Sequence, residues 1–282
     1  MQKPPFLIVK DHSVSGEEFK LLYNGAYEML ETFPKPSEEN LGKYYKSEDY
    51  ISHTDNKRNL FERAYHWVKG IAIKRKLRLI NSFNLSAKTL LDVGCGTGDF
   101  LENAKFEGWE ITGIEPNEKA RNIANIKTNS AVHDISTMTN LPKAGFNVIT
   151  LWHVLEHIPK PKEHIKLLKE LLSEKGRLVI AVPNHKSFDA QYYKNFWAAY
   201  DVPRHLWHFS RKSIELIFQE EGMIVEKVLP MKFDAYYVAL LSEKYKSGWM
   251  NIFNAFFVAS RSNLKASRSG EYSSLIYIIK KT

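Results

Sequence analysis

The 282 residues suit one large α/β domain or one domain with an appendage, and an apolar content of 44% is ordinary for a globular protein. No run reaches the roughly 20 apolar residues of a membrane-spanning helix, and a single cysteine, Cys95, excludes an internal disulfide or a cysteine zinc site. A net charge of +8 leaves nucleic acid or a membrane surface open, yet the densest basic run, Lys74-Arg75-Lys76-Leu77-Arg78, reads as a solvated helix face without an RNA-binding signature.

Met1–Lys10 holds only four apolar residues in a row, too short for a signal-peptide core, so a cytoplasmic protein is expected. Two short strands, Glu18–Tyr23 and Ala26–Thr32, flank Asn24-Gly25, a strong hairpin signal that Pro34-Lys-Pro36 closes. Ser37 is placed to cap a short helix. This piece is too small for its own core, so residues 1–55 are expected to form an appendage and 56–282 the main domain. From Asn56 to about Phe83, Leu60/Phe61, Ala64/Tyr65, Trp67/Val68 and Ile71/Ala72 recur at helical spacing.

Strand and helix then alternate. Strand one is Thr89–Val93, leading through Gly94, Gly96 and Gly98 into a helix over about Gly98–Glu107. Strand two, Glu110–Ile114, ends at Glu115 before a helix from Asn117 to about Ile126, and a short third strand lies around Ser130–His133 before Asp134. Strand four is Phe146–Leu151, with a helix over about Pro161–Leu172, and strand five is Arg177–Val182. Such alternation predicts an α/β fold with a mostly parallel sheet and helices on both faces. The stretch Ser187–Leu206 is aromatic-rich and irregular. Ser210 caps a helix that Gly222 stops, Met223–Leu229 is strand six, and Phe233–Ser260 is helical in two pieces broken near Ser247-Gly248. Arg261–Gly270 is polar and predicted to be mobile, and Tyr272–Ile279 is a final strand.

The loop carries the chemistry. Glycine lets a ligand approach main-chain N–H groups without meeting a Cβ. A dinucleotide fingerprint would need glycine where Asp99 stands, which argues against an NAD-dependent oxidoreductase, and a Walker loop would need a lysine. Asp92-Val-Gly-Cys-Gly-Thr-Gly98 instead resembles motif I of the class I S-adenosylmethionine (SAM)-dependent methyltransferases. Leu151-Trp-His-Val-Leu-Glu-His-Ile-Pro159 resembles their small-molecule branch, where His-x-Leu-Glu-His is common after strand four. Asp201-Val-Pro-Arg-His-Leu-Trp-His-Phe-Ser210 resembles a segment of the ubiquinone-biosynthesis-like group.

The resemblance implies a Rossmann-like seven-stranded sheet whose last strand is antiparallel and inserted between strands five and six. It also implies a helix before strand one that covers the cofactor, unless that aromatic stripe is simply core. The helical insert, residues 233–270, suggests a substrate cap or a dimer surface. By the same resemblance SAM is the cofactor, held by Asp92, Gly94, Cys95, Gly96, Gly98, Glu115, Pro116, Asp134, Ile135, Leu151 and Trp152. Glu115 would take the ribose hydroxyls, and Asp134 with the Ile135 N–H the adenine edge. His153, His205 and His157 are the candidate bases, with Arg204, Tyr200 and Trp197 on the substrate side. Each has a plainer reading: an acid closing a strand is often a turn residue, Asp201 and Arg204 can tie a loop to the next helix, and the aromatics can be packing. No metal is expected, because Glu156 and His157 are adjacent and no second acidic residue follows in the segment. The acceptor is expected to be a small molecule, methylated at oxygen by family habit, with the protein a monomer or homodimer. RNA or protein methylation and non-catalytic SAM binding are the alternatives. The strand-four segment argues against nucleic acid, since it lacks the Asn/Asp-Pro-Pro-Tyr/Phe pattern of nucleobase enzymes.

Overall fold

The computed structural model describes residues 4–45 and 60–282. Two compact units divide the chain: Met1–Ser47, His153–Lys162 and Ala181–Ile278 form one, and Glu48–Trp152, Glu163–Ile180 and Ile279–Thr282 the other.

In the first unit an antiparallel sheet has the order β1 (Leu7–Lys10), β2 (Glu18–Asn24), β3 (Met29–Phe33), β9 (Trp207–His208). The expected hairpin forms with a longer turn. Asn24 pairs with Met29, so residues 25–28 make the connection and Glu28 adopts φ 50°. The Asn24 side chain accepts the Ala26 N–H at 3.0 Å, the local bond that turns the chain. β1 was not legible because its apolar run alternates too briefly. Ser37 precedes α1 (Glu38–Leu41) as predicted, but its side chain makes no capping bond. Alternate residues of β1–β3 turn inward, and Val9, Phe19, Leu21 and Leu30 join Trp197, Tyr200, Val238 and Val258 in one core.

The larger sheet has seven strands in the order β10-β11-β8-β7-β4-β5-β6, mostly parallel with the last strand antiparallel, as the resemblance implied. They are β4 (Thr89–Val93), β5 (Glu110–Ile114), β6 (Val132–His133), β7 (Phe146–Trp152), β8 (Leu172–Pro183), β10 (Met223–Pro230) and β11 (Ser274–Lys281). Parallel strands buried on both faces want continuous apolar runs; Leu178 to Val182 are all fully buried. α2 (Leu60–Asn81) lies within the helical pattern expected from Asn56 to about Phe83. Residues 56–59 and the side chains of 60–67, including Phe61, Tyr65 and Trp67, lie outside the described residues. α3 (Asp99–Phe106), α4 (Glu118–Thr128) and α5 (Pro161–Leu171) follow their strands. Asn117 caps α4 by accepting the Ala120 N–H at 3.0 Å.

The irregular stretch after β8 contains α6 (Phe188–Tyr193) and two single-turn 3₁₀ segments. α7 (Arg211–Glu220) opens on a reciprocal Ser210–Ser213 capping box. α8 (Asp234–Ser247) ends at Gly248 in a left-handed conformation, and α9 (Ile252–Ser269) follows. Arg261–Gly270 is therefore helical rather than mobile. Ala259, Ser262 and Ala266 continue the buried stripe begun by Ala255 at helical spacing, and that spacing outweighs the polar composition. Among the described residues no helix is long and apolar enough to cross a membrane.

Candidate functional site

In the second unit the glycine loop leaves β4 and docks on the end of β5. Gly94 and Cys95 donate their N–H groups to the Ile114 carbonyl at 2.7 and 3.1 Å. Gly96 donates to Glu115 Oε2 at 2.8 Å, and Asn117 to Oε1 at 2.9 Å. Glu115 thus ties the loop to the start of α4. Gly98 has φ 80°, and a Cβ there would lie 2.9 Å from the Ala124 Cβ, so no other residue fits without displacing α4.

The strand register sets the acids along one edge: Asp92 lies opposite Gly113, and Ile114 opposite His133. Glu115 and Asp134 therefore end neighbouring strands, and the Glu115 N–H bonds the His133 carbonyl at 3.0 Å. Arg121, which sequence reasoning passed over, locks this edge. Its guanidinium donates to the carbonyls of Glu115 and Pro116 at 2.6 and 3.0 Å and lies 3.2 Å from the Asp134 carboxylate. Its signal was a basic residue one turn into a helix that follows an acid-ended strand. Asp134 also accepts both Ser136 groups, and those bonds first, then Arg121, hold its carboxyl below the ordinary value. Ile135 stands exposed beside it.

Asp92 is buried, and the Thr150 hydroxyl donates to it at 2.6 Å. Burial pushes its carboxyl up to about 7, with nearby Glu115 adding to the rise and Thr150 and Lys76 opposing it. Burial likewise raises Glu115, against the two loop N–H bonds and Arg121. Cys95 is held as a neutral thiol by burial and by both acids, so it is no nucleophile. Trp152 meets Phe100 edge-on at 5.8 Å and carries the Lys76 ammonium 4.3 Å above its ring, while its indole N–H is buried without a hydrogen-bond partner. The Leu151 side chain is fully buried, which leaves its main chain at the end of β7 as the part that could face a cofactor. Two carboxylates and an unsatisfied donor beside a glycine loop fit a ligand that carries a cation, a diol and a hydrogen-bonding base.

In the first unit, His153 takes φ 58° directly after β7, a left-handed conformation that costs about 1 kcal/mol or more for a non-glycine residue. Its Nδ1 lies 3.3 Å from Glu156 Oε1. Glu156 is fully buried, and its oxygens have no conventional hydrogen-bond donor. Burial alone would raise its carboxyl; the imidazoles of His153, His205 and His157 overcome this and hold it below the ordinary value. Glu156, His157 and His205 can bring one ligand atom each within 4.8 Å of the others. The ligand count made within one sequence segment therefore understated the donor set, because His205 arrives from the loop before β9.

The remaining candidates make internal contacts. His157 Nδ1 lies 3.0 Å from the Arg204 carbonyl and 3.0 Å from the Tyr45 hydroxyl, and burial first, then His205, lowers it to about 4. A group so acidic is a poor base at neutral pH. His205 Nδ1 donates to the Ala199 carbonyl at 2.9 Å in a buried setting. Arg204 is engaged by the protein itself. Its Nε and Nη2 grip both oxygens of Asp201 at 3.0 and 2.6 Å, Nη2 reaches Asp11 at 3.2 Å, and Nη1 holds the Tyr44 carbonyl. Trp197 and Tyr200 are core residues, exposed by 1% and 2%, and the Trp197 indole donates to Asp189 at 2.8 Å.

Residues 49–228 match a family described as "Methyltransferase domain". A ubiquinone biosynthesis O-methyltransferase of Coxiella burnetii is 28% identical over 181 residues, covering 58% of this chain and 72% of that protein. Its counterpart in Nitrosospira multiformis is 27% identical over 168 residues, covering 53% and 68%. Among solved structures, geranyl diphosphate C-methyltransferase from Streptomyces coelicolor A3(2) superposes with a TM-score of 0.57 at 11% identity, covering 87% of this chain and 97% of that one. A SAM-dependent methyltransferase from Archaeoglobus fulgidus gives 0.53 at 21% identity, covering 79% and 98%. At these identities the structures speak for the fold.

Proposed function

The chain belongs to the methyltransferase-domain family and is a SAM-dependent methyltransferase, and from that premise we propose that it methylates a hydroxyl oxygen of a small molecule with His153 as the base. The observation that carries this reading is the strained His153 backed at 3.3 Å by the buried carboxylate of Glu156. An acid that orients an imidazole and stabilises its protonated form is the usual support for a general base. The relatives named as O-methyltransferases favour oxygen.

When bound, SAM supplies an electrophilic methyl group on a sulfonium. Asp92 and Glu115 would hold its amino group and ribose, the glycine loop its methionyl part, and Asp134 with Ile135 its base. His153 would accept the acceptor's hydroxyl proton at Nε2. Glu156 holds Nδ1 and balances the imidazolium. With the proton taken up by His153, the site would need alignment more than oxyanion stabilisation. The reaction needs no metal on this reading. Nucleic acid is not an acceptor, and the protein works in the cytoplasm as a monomer or homodimer.

The test is transfer of labelled methyl from SAM to a panel of phenols, catechols, aliphatic alcohols and amines, with His153→Gln beside the unaltered protein. Label on a hydroxyl acceptor, kcat lower by about 10²–10⁴ in the variant and unchanged SAM affinity are expected. Methylation of amines alone, or full activity of His153→Gln, overturns the reading.

A further inference from the structure

The hairpin of α8 and α9 is built inside out. Its buried positions are mostly small: Ala235, Ala239 and Ser242 beside Val238 and Glu243 on α8, and Ala255, Ala259, Ser262 and Ala266 beside Val258 on α9. Five large apolar residues at its turn and along α9 face outward: Trp249 is 61% exposed, Ile252 60%, Phe253 90%, Phe256 63% and Phe257 59%. Spacings of three, one, three and one place all five on one helix face and its lead-in. An ordinary surface helix shows the reverse arrangement, and a contiguous apolar patch of this kind marks an interaction surface.

Charge decides what the surface meets. Between Lys244 and Gly270 the chain carries Lys244, Lys246, Arg261, Lys265 and Arg268 and no acidic residue. The cations flank the aromatic stretch on both sides. Long basic stems around Trp and Phe suit a bilayer interface, where the rings enter the headgroup boundary and the cations stay with anionic headgroups. A second copy of the hairpin would instead bring five like charges against five. We propose that the α8–α9 tip docks on the surface of an anionic lipid bilayer, with the helices lying on the membrane and not crossing it. This replaces the substrate cap or dimer surface that the insert suggests by position, and it stands apart from the methyl-transfer reading.

The full protein is sedimented with vesicles of phosphatidylcholine, with and without phosphatidylglycerol. Binding only where phosphatidylglycerol is present, weakened by salt, is expected. Phe253→Ser with Phe256→Ser should weaken it at least about tenfold, and Lys244→Gln or Lys246→Gln about fivefold each. These side chains are exposed, so circular dichroism and SAM affinity should be unchanged. Equal partition to both vesicle types, or no effect of the aromatic pair, overturns the proposal. So does a dimer in light scattering that the aromatic variant dissolves, which would assign the face to a second copy.

Discussion

Asp92→Asn should make the cofactor-free protein more stable while removing its grip on SAM. Raising a carboxyl from 3.8 to about 7 penalises the folded state by about 4 kcal/mol once it must ionise, at about 1.4 kcal/mol per pH unit. The sign follows from proton binding: between these values the folded protein holds a proton that the unfolded chain has released. Stability is therefore lost as pH rises from about 4 to about 7, and the full penalty stands at pH 8. Asparagine has the same shape, keeps an oxygen for the Thr150 hydroxyl bonded at 2.6 Å, and never ionises. At about 2–4 °C per kcal/mol for a chain of this size class, the variant should melt several degrees higher at about pH 8 and near the parent value at about pH 4. Calorimetric titration should show the converse for the cofactor, because a cationic amino group rewards the ionised acid. SAM affinity should rise with pH up to about 7 in the parent, with proton release on binding, and be lost in Asp92→Asn. A variant less stable than the parent at alkaline pH, or one that binds SAM normally, would refute the assignment of Asp92 as a strained buried acid held for the ligand.

Four further outcomes follow from named contacts. Glu115→Gln loses an acceptor from either the Gly96 or the Asn117 N–H, so SAM should bind at least about tenfold more weakly by titration, at about 1.4 kcal/mol or more per lost charged bond. Gly98→Ala combines φ 80° with a 2.9 Å approach to Ala124 and should cost about 3 kcal/mol in urea unfolding; a loss within error would mean the loop can move away. His185, buried and lowered to about 4 chiefly by burial with Lys186 adding, releases stability as pH falls from about 6.5 towards 4, since the unfolded chain then binds the extra proton. His185→Gln should flatten that part of the acid-unfolding curve, and an unchanged slope would remove His185 from it. Finally, dialysis against a chelator should leave turnover and melting temperature unchanged, whereas a loss restored by zinc or magnesium would assign a metal to Glu156, His157 and His205.

The sequence by itself determined the α/β architecture and the cofactor edge. Its signals there are local: apolar runs of strand length, each ended by Asp92, Glu115 or Asp134, and glycines whose positive φ is needed where they stand. A strand with its turn and helix is one continuous piece of chain, so its residue pattern is enough. Arg121, Thr150 and the Glu156–His157–His205 cluster came only with tertiary structure, because each partner arrives from another element. The same holds for Asp11 as the second partner of Arg204, which joins the Asp201 pairing already legible in sequence, and for Trp197 and Tyr200, whose burial depends on β1–β3 and α8. The insert shows the limit most clearly. Composition marked α8 and α9 as helical, but which face each would bury was settled by the close approach that small residues allow, and that contact turned the aromatic face outward.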